Sequence, residues 1–135
     1  MPEFEAPYTG PSGFELDHGD PRYVLVRVRT AVNERNAQSL RDVIAKVFRE
    51  DRRFIAIDLT DGAVFGPQGY GPLIGAVKAC RDRGGDLYLI GASEMVRRVV
   101  AHDSRGPVSS FATRAELDRA LLGRRPTLEA IGGAS

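Results

Sequence analysis

Two short apolar runs, FIAIDL at 54–59 and DLYLIG at 86–91, constrain this chain more than anything else in it. Each is nearly continuous in apolar residues, as expected of a central strand covered on both sides rather than one with a wet face. Between them lie a glycine-rich turn and a stripe of Leu73, Ile74, Val77 and Cys80 at helical spacing. The segment RDRGG then closes that helix, with cationic residues in the last turn and glycine just past it.

The alternation extends in both directions. FELD and RYVLVRVR flank the turn signal HGDP, which predicts a hairpin over residues 14–29 with Val24, Val26 and Val28 on one face. Ala37, Leu40, Val43, Ile44, Val47 and Phe48 recur at helical spacing, and Asn33 is placed to cap that helix. Further on, Ser93 caps a short helix in SEMVRRVVAHDSRG, and VSSF reads as a last strand. Thr113 with Glu116 forms a capping box that opens a final helix in TRAELDRALLG. Strands alternating with helices at this spacing call for a small α/β sheet with helices packed against it. A length of 135 residues fits one domain with a modest core. Residues 1–12 read as a flexible arm, 13–123 as the domain, and 124–135 as a loose tail.

Several functional classes are disfavoured by the totals. A formal net charge of +1 is too small for general nucleic-acid binding driven by counterion release. Cys80 is the single cysteine, so no internal disulfide or thiolate metal cluster is available, and its place on an apolar helix stripe predicts a buried, inert thiol. No apolar run approaches the ~20 residues a membrane-spanning helix needs, so no stable membrane insertion is expected. The first residues lack a basic segment followed by an apolar one, so no secretory signal is expected and a cytoplasmic location is.

The turn between the central strands, DGAVFGPQGYGPLIG at 61–75, holds five glycines and two prolines. A strand, a glycine turn and a helix often bind phosphate, but Gly66 and Gly71 are followed by Pro72 and Leu73, not by the lysine and hydroxyl a P-loop requires. The order Gly66, Gly69, Gly71, Gly75 is not the dinucleotide fingerprint either. Pro67 and Pro72 each delete one backbone amide, which weakens anion binding at the helix start. His18 and His102 have no Ser, Cys or carboxylate at a spacing that suggests a triad, and two distant histidines do not make a metal site. Asp58 and Asp61 bracket a strand end, where a carboxylate pair is the alternative, and read as a solvated strand end and a turn residue. No catalytic residue, metal site or cofactor is assigned.

In order, FIAIDLTDGAVFGPQGYGPLIGAVKACRDRGGDLYLIGASEMVRRVV resembles the STAS domains of bacterial anti-anti-sigma factors, also called anti-sigma factor antagonists. In them an apolar strand ends in Asp-Leu-Ser/Thr, and about six residues later comes Asp-Ser-Ser/Thr-Gly-Leu-Gly. A helix, Arg-Gly-Gly, a strand and a Val-Arg-Arg-Val helix follow. The resemblance covers roughly residues 14–122 and implies a STAS-like fold, a small mixed sheet of four to five strands with about four helices. It also implies a protein partner, an anti-sigma factor that doubles as a serine kinase and phosphorylates one of the hydroxyl residues before the Gly69 position. Here those positions are Pro67 and Gln68, and the preceding acidic residue is Gly66. The acidic residue that usually ends the earlier sheet segment is replaced by Asn33, while Gly69 and Gly71 are retained.

The turn therefore reads as a phospho-switch site whose acceptors have been lost, with Asn33, Gly66, Pro67, Gln68, Gly69, Tyr70 and Gly71 as the partner-binding set. Pro72 predicts a helix that starts near Gly71, about one turn late, with Tyr70 exposed beside it. Thr60 and Ser93 are the nearest hydroxyls that could replace the lost acceptor. Arg97, Arg98 and Arg105 form a basic patch that reads as a solvated face. The leading expectation is a non-enzymatic regulator that binds an anti-sigma factor kinase, or another signalling protein, through residues 64–74. The alternative is a STAS sensor or subunit that binds a small ligand or lipid, or docks on a transporter ATPase or signalling scaffold. A homodimer is compatible with either, and the bland reading is a tight surface turn on a drifted domain.

Overall fold

A computed structural model describes residues 13–61, 65–104 and 106–122. The expected arm at 1–12, the tail at 124–135, Val64 of the expected docking stretch and Arg105 lie outside the described residues. Five strands and four helices follow one another: β1 (Phe14–Asp17), β2 (Val24–Val28), α1 (Ala37–Arg49), β3 (Phe54–Asp58), α2 (Pro67–Asp82), β4 (Asp86–Ile90), α3 (Glu94–Asp103), β5 (Ser109–Phe111) and α4 (Arg114–Leu122).

The sheet order is β1-β2-β3-β4-β5. The first pair is the expected hairpin, antiparallel with Leu16 opposite Val26, and the other pairs are parallel. Every crossover steps to the next strand in the same direction, so right-handed connections put α1, α2 and α3 on one face of the sheet. The register aligns Val24 and Val26 with Ile55 and Ile57, and those with Leu87 and Leu89. That row meets Leu40, Val43 and Val47 of α1, Leu73 and Val77 of α2, and Val96 and Val100 of α3 in the larger core. Alternate residues Leu25, Ala56, Tyr88 and Ile90 point the other way, into a second core with Tyr23 and Leu117 of α4. The two apolar runs are thus buried on both faces, as their continuity requires.

Three local expectations are borne out. Ser93 Oγ accepts the Val96 amide at 3.2 Å as an N-cap. Beyond α2, Gly84 takes φ +81° and the Gly85 amide reaches back to the Cys80 carbonyl at 2.8 Å, a glycine-dependent helix stop. Thr113 Oγ1 accepts the Glu116 amide at 3.2 Å, although Glu116 returns its carboxylate to the Ala112 amide at 3.1 Å, one residue earlier than the usual box.

Two helix starts differ from expectation. Asn33 does not cap α1, which begins at Ala37 with Asn36 as its N-cap. The side chain of Asn33 instead accepts the Arg35 amide at 2.8 Å, and Asn36 bonds both the Asn33 amide and the Ala31 carbonyl at 2.8 Å. Two asparagines thus hold a turn ahead of the helix, the local competition with helical bonding at which this side chain excels. Nor does α2 start near Gly71: it starts at Pro67, with extended Gly66 as N-cap and Pro72 inside. Pro67 fills the first helical position, which suits a proline. Pro72 forgoes only a bond to the carbonyl of exposed Gln68, and its ring is buried.

Candidate partner-docking site

Beyond β2, the chain meets the residues that open α2. Val32 and Phe65 form an isolated parallel bridge, and the Gly66 amide donates to the Val32 carbonyl at 2.8 Å. This zips the β2–α1 turn to the start of α2. A Cβ at Gly66 would lie 4.0 Å from the Cα of Asn33, so two residues far apart along the chain become neighbours. Val32 and Phe65 are both buried, and they form the floor of the site.

Gly69 is the residue this floor demands. An added Cβ would sit 2.6 Å from Phe65 Cδ2 and 2.9 Å from Val32 Cγ1. Among the expected partner-binding residues, Gly69 is buried and can only support the surface, whereas Asn33, Pro67, Gln68 and Gly71 are exposed. Gly66 and Tyr70 are half-buried. The expectation of an exposed Tyr70 is corrected: the earlier helix start turns its ring back onto Phe65, with centroids 6.2 Å apart. The guanidinium of exposed Arg41 on α1 borders Gly71, 3.4 Å from where a Cβ would stand. The first turn of α2 carries no acidic residue and no side-chain cap, and neither Pro67 nor Gln68 offers a hydroxyl.

The other candidate groups are engaged elsewhere. The Thr60 hydroxyl donates to Asp58 Oδ1 at 2.6 Å, and its amide donates to the same oxygen at 2.9 Å. Ser93 is occupied as a helix cap. Asp58 is not the solvated strand end expected but is buried, because it accepts these bonds and faces Arg27 Nε at 3.8 Å. Asp61 is an exposed turn residue paired with Arg29 at 3.0 Å. His18 Nε2 contacts Glu50, the C-cap of α1, at 2.7 Å, while exposed His102 meets Asp103 at 2.8 Å at the end of α3. Among the described residues no group of three or more His, Cys, Asp or Glu could hold a metal ion. The Cys80 thiol is buried, and burial pushes its pKa up to about 12. Arg98 is tied to Glu94 at 2.9 Å, and with Val99 and His102 it borders a shallow depression on α3. Among the described residues no helix is long and apolar enough to cross a membrane.

A sequence model of the STAS domain matches residues 17–104, and the chain belongs to that family. No curated protein matches it. Among solved structures it is similar to the anti-sigma factor antagonist SpoIIAA in its unphosphorylated form: 19% identity, TM-score 0.68, covering 83% of this chain and 100% of that one. The phosphorylated form of the Bacillus protein gives 22% identity and a TM-score of 0.66 over 80% of this chain and 99% of that one. An anti-sigma factor antagonist from Mycobacterium paratuberculosis gives 19% identity and a TM-score of 0.62, covering 85% of this chain and 99% of that one. At these identities the likeness is one of fold.

Proposed function

We propose that this chain is a regulatory protein without catalysis of its own, which docks a protein partner through Asn33, Gly66, Pro67, Gln68, Tyr70 and Gly71. The observation that carries this reading is the state of the α2 start. The scaffold is complete, with Gly69 packed on Val32 and Phe65, yet Pro67 and Gln68 stand exposed where the resemblance places the phosphoryl acceptors. A phosphate there would bring a charge of about −1.5 to −2 and three acceptor oxygens. Gln68 brings a neutral amide, so the partner always meets the equivalent of an unphosphorylated surface. In a sigma-factor circuit the chain would act as a constitutive or differently regulated antagonist of an anti-sigma factor of the kinase-fold ATPase type. SpoIIAA, known in both phosphorylation states, is the solved relative that supports this reading.

The test is co-purification of the tagged chain from its host, with Gln68→Asp and Tyr70→Ala as site variants and Arg98→Ala as a control away from the site. Recovery of a kinase-fold ATPase that is lost with Gln68→Asp and kept with Arg98→Ala is expected. Recovery of a transporter ATPase, or binding indifferent to Gln68→Asp, overturns the proposal.

A further inference from the structure

We propose that α4 is a hinged cover, latched on the Tyr23 hydroxyl, which opens and closes independently of the rest of the domain. The sheet carries two separate cores, and α4 is the helix that closes the second of them among the described residues. Leu117 is the one residue of α4 that is fully buried, where it meets Leu25, Ala56, Tyr88 and Ile90, with Leu121 packed at the edge. At nine residues α4 is too short to persist as a helix in water, so it exists as a helix only while docked. It joins β5 through Ala112 and Thr113, both exposed, which can serve as the hinge.

The polar half of its attachment gathers around the Tyr23 hydroxyl and the Asp118 carboxylate. Arg114 and Asp118 stand one turn apart on the same face as Leu117 and Leu121. Arg114 Nε donates to the Tyr23 hydroxyl at 2.9 Å, and that hydroxyl donates to Asp118 Oδ1 at 2.7 Å. Arg22 adds donors to Asp118 Oδ1 at 3.1 Å and to its carbonyl at 3.4 Å, while Asp20 holds Arg22 at 2.7 Å. Arg114 also faces Asp17 at 3.6 Å. Tyr23 itself is completely buried just before β2; its ring packs in the second core with Leu117 and its hydroxyl makes the latch. Opening breaks these bonds and exposes the second core. The larger core beneath α1, α2 and α3 remains whole, and so does the α2 start, whose floor belongs to that core.

Hydrogen–deuterium exchange on the full chain, read by mass spectrometry, tests this directly. In the unaltered protein, amides of residues 116–122 should exchange faster than those of β3 and β4, through an opening that leaves the strands protected. Tyr23→Phe keeps the ring and removes the hydroxyl. It should speed exchange in α4 by about tenfold or more, the loss of a charge-assisted hydrogen bond, and change β3 and β4 by less than about twofold. Asp118→Asn, on the solvent side of the latch, should act in the same direction without touching the sheet. If α4 exchanges as slowly as β3 and β4, or if both variants accelerate strands and α4 equally, α4 is no independent cover.

Discussion

Gly69 and Gln68 are adjacent residues with opposite constraints. Gly69 has no room for a methyl group between Phe65 and Val32, whereas Gln68 is exposed and free to vary as far as the fold is concerned. Gly69→Ala should therefore lower stability by about 1–3 kcal/mol, since overpacking forces the ring or the backbone to move. Urea unfolding followed by circular dichroism measures this, and an unchanged midpoint would mean that Phe65 swings away at no cost. The same substitution deforms the floor beneath Pro67 and Gln68, so binding should weaken along with stability. Gln68→Asp, by contrast, should leave the unfolding midpoint nearly unchanged while disturbing the partner. The retained glycine serves architecture, and the altered residue beside it carries the functional change.

In α2 the sequence shows the buried stripe and the glycine stop, but its rules would not have drawn the first turn. The helix opens on proline, includes a second proline and carries exposed glycines at Gly71 and Gly75. Its stability comes from the buried stripe of Leu73, Ala76, Val77 and Cys80 rather than from intrinsic propensity. Gly75 separates the two contributions, because a Cβ there meets nothing within 4 Å. Gly75→Ala should raise stability by roughly 0.5–1 kcal/mol through the unfolded state alone. A thermal melt showing no gain would place a contact at Gly75 that the described residues do not supply. The two asparagines before α1 illustrate the same lesson from the other side. Either could cap a helix, and only the bonds to Ala31 and Arg35 decide that together they hold a turn.

For the whole molecule, carboxylates tie the hairpin to its surroundings. The hydrogen bond from the Arg22 side chain holds Asp20 below the ordinary carboxylate range, against the opposing effect of burial. Burial pushes Glu50 upward, but its bonds to His18 and Lys46 outweigh this and leave it lowered. A lowered folded pKa means that the unfolded chain takes up protons first. The stabilisation is thus fully present above the unfolded carboxylate value, about 4, and is lost as pH falls through the folded value. The urea midpoint should drop as pH is lowered from about 5 to about 3, and the double variant Asp20→Asn with Glu50→Gln should flatten that slope. An unchanged slope in the double variant would assign acid sensitivity to other carboxylates.

The layering is legible in the order of the residues alone. The continuous runs FIAID and DLYLI could only be strands buried on both faces, and the helical stripes between them had to cover the sheet. Also legible there is the chemistry missing from the α2 start, because Pro67 and Gln68 carry no hydroxyl in any fold. Only the tertiary structure decided where α1 and α2 begin, since caps and prolines are placed by contacts that local propensity does not contain. It alone brought Asn33 beside Gly66, through a bridge between Val32 and Phe65 that leaves no periodic trace. The Tyr23 latch was equally invisible: Asp118 lies 95 residues away along the chain, and a hydrogen bond over that separation is set by the closing of the fold.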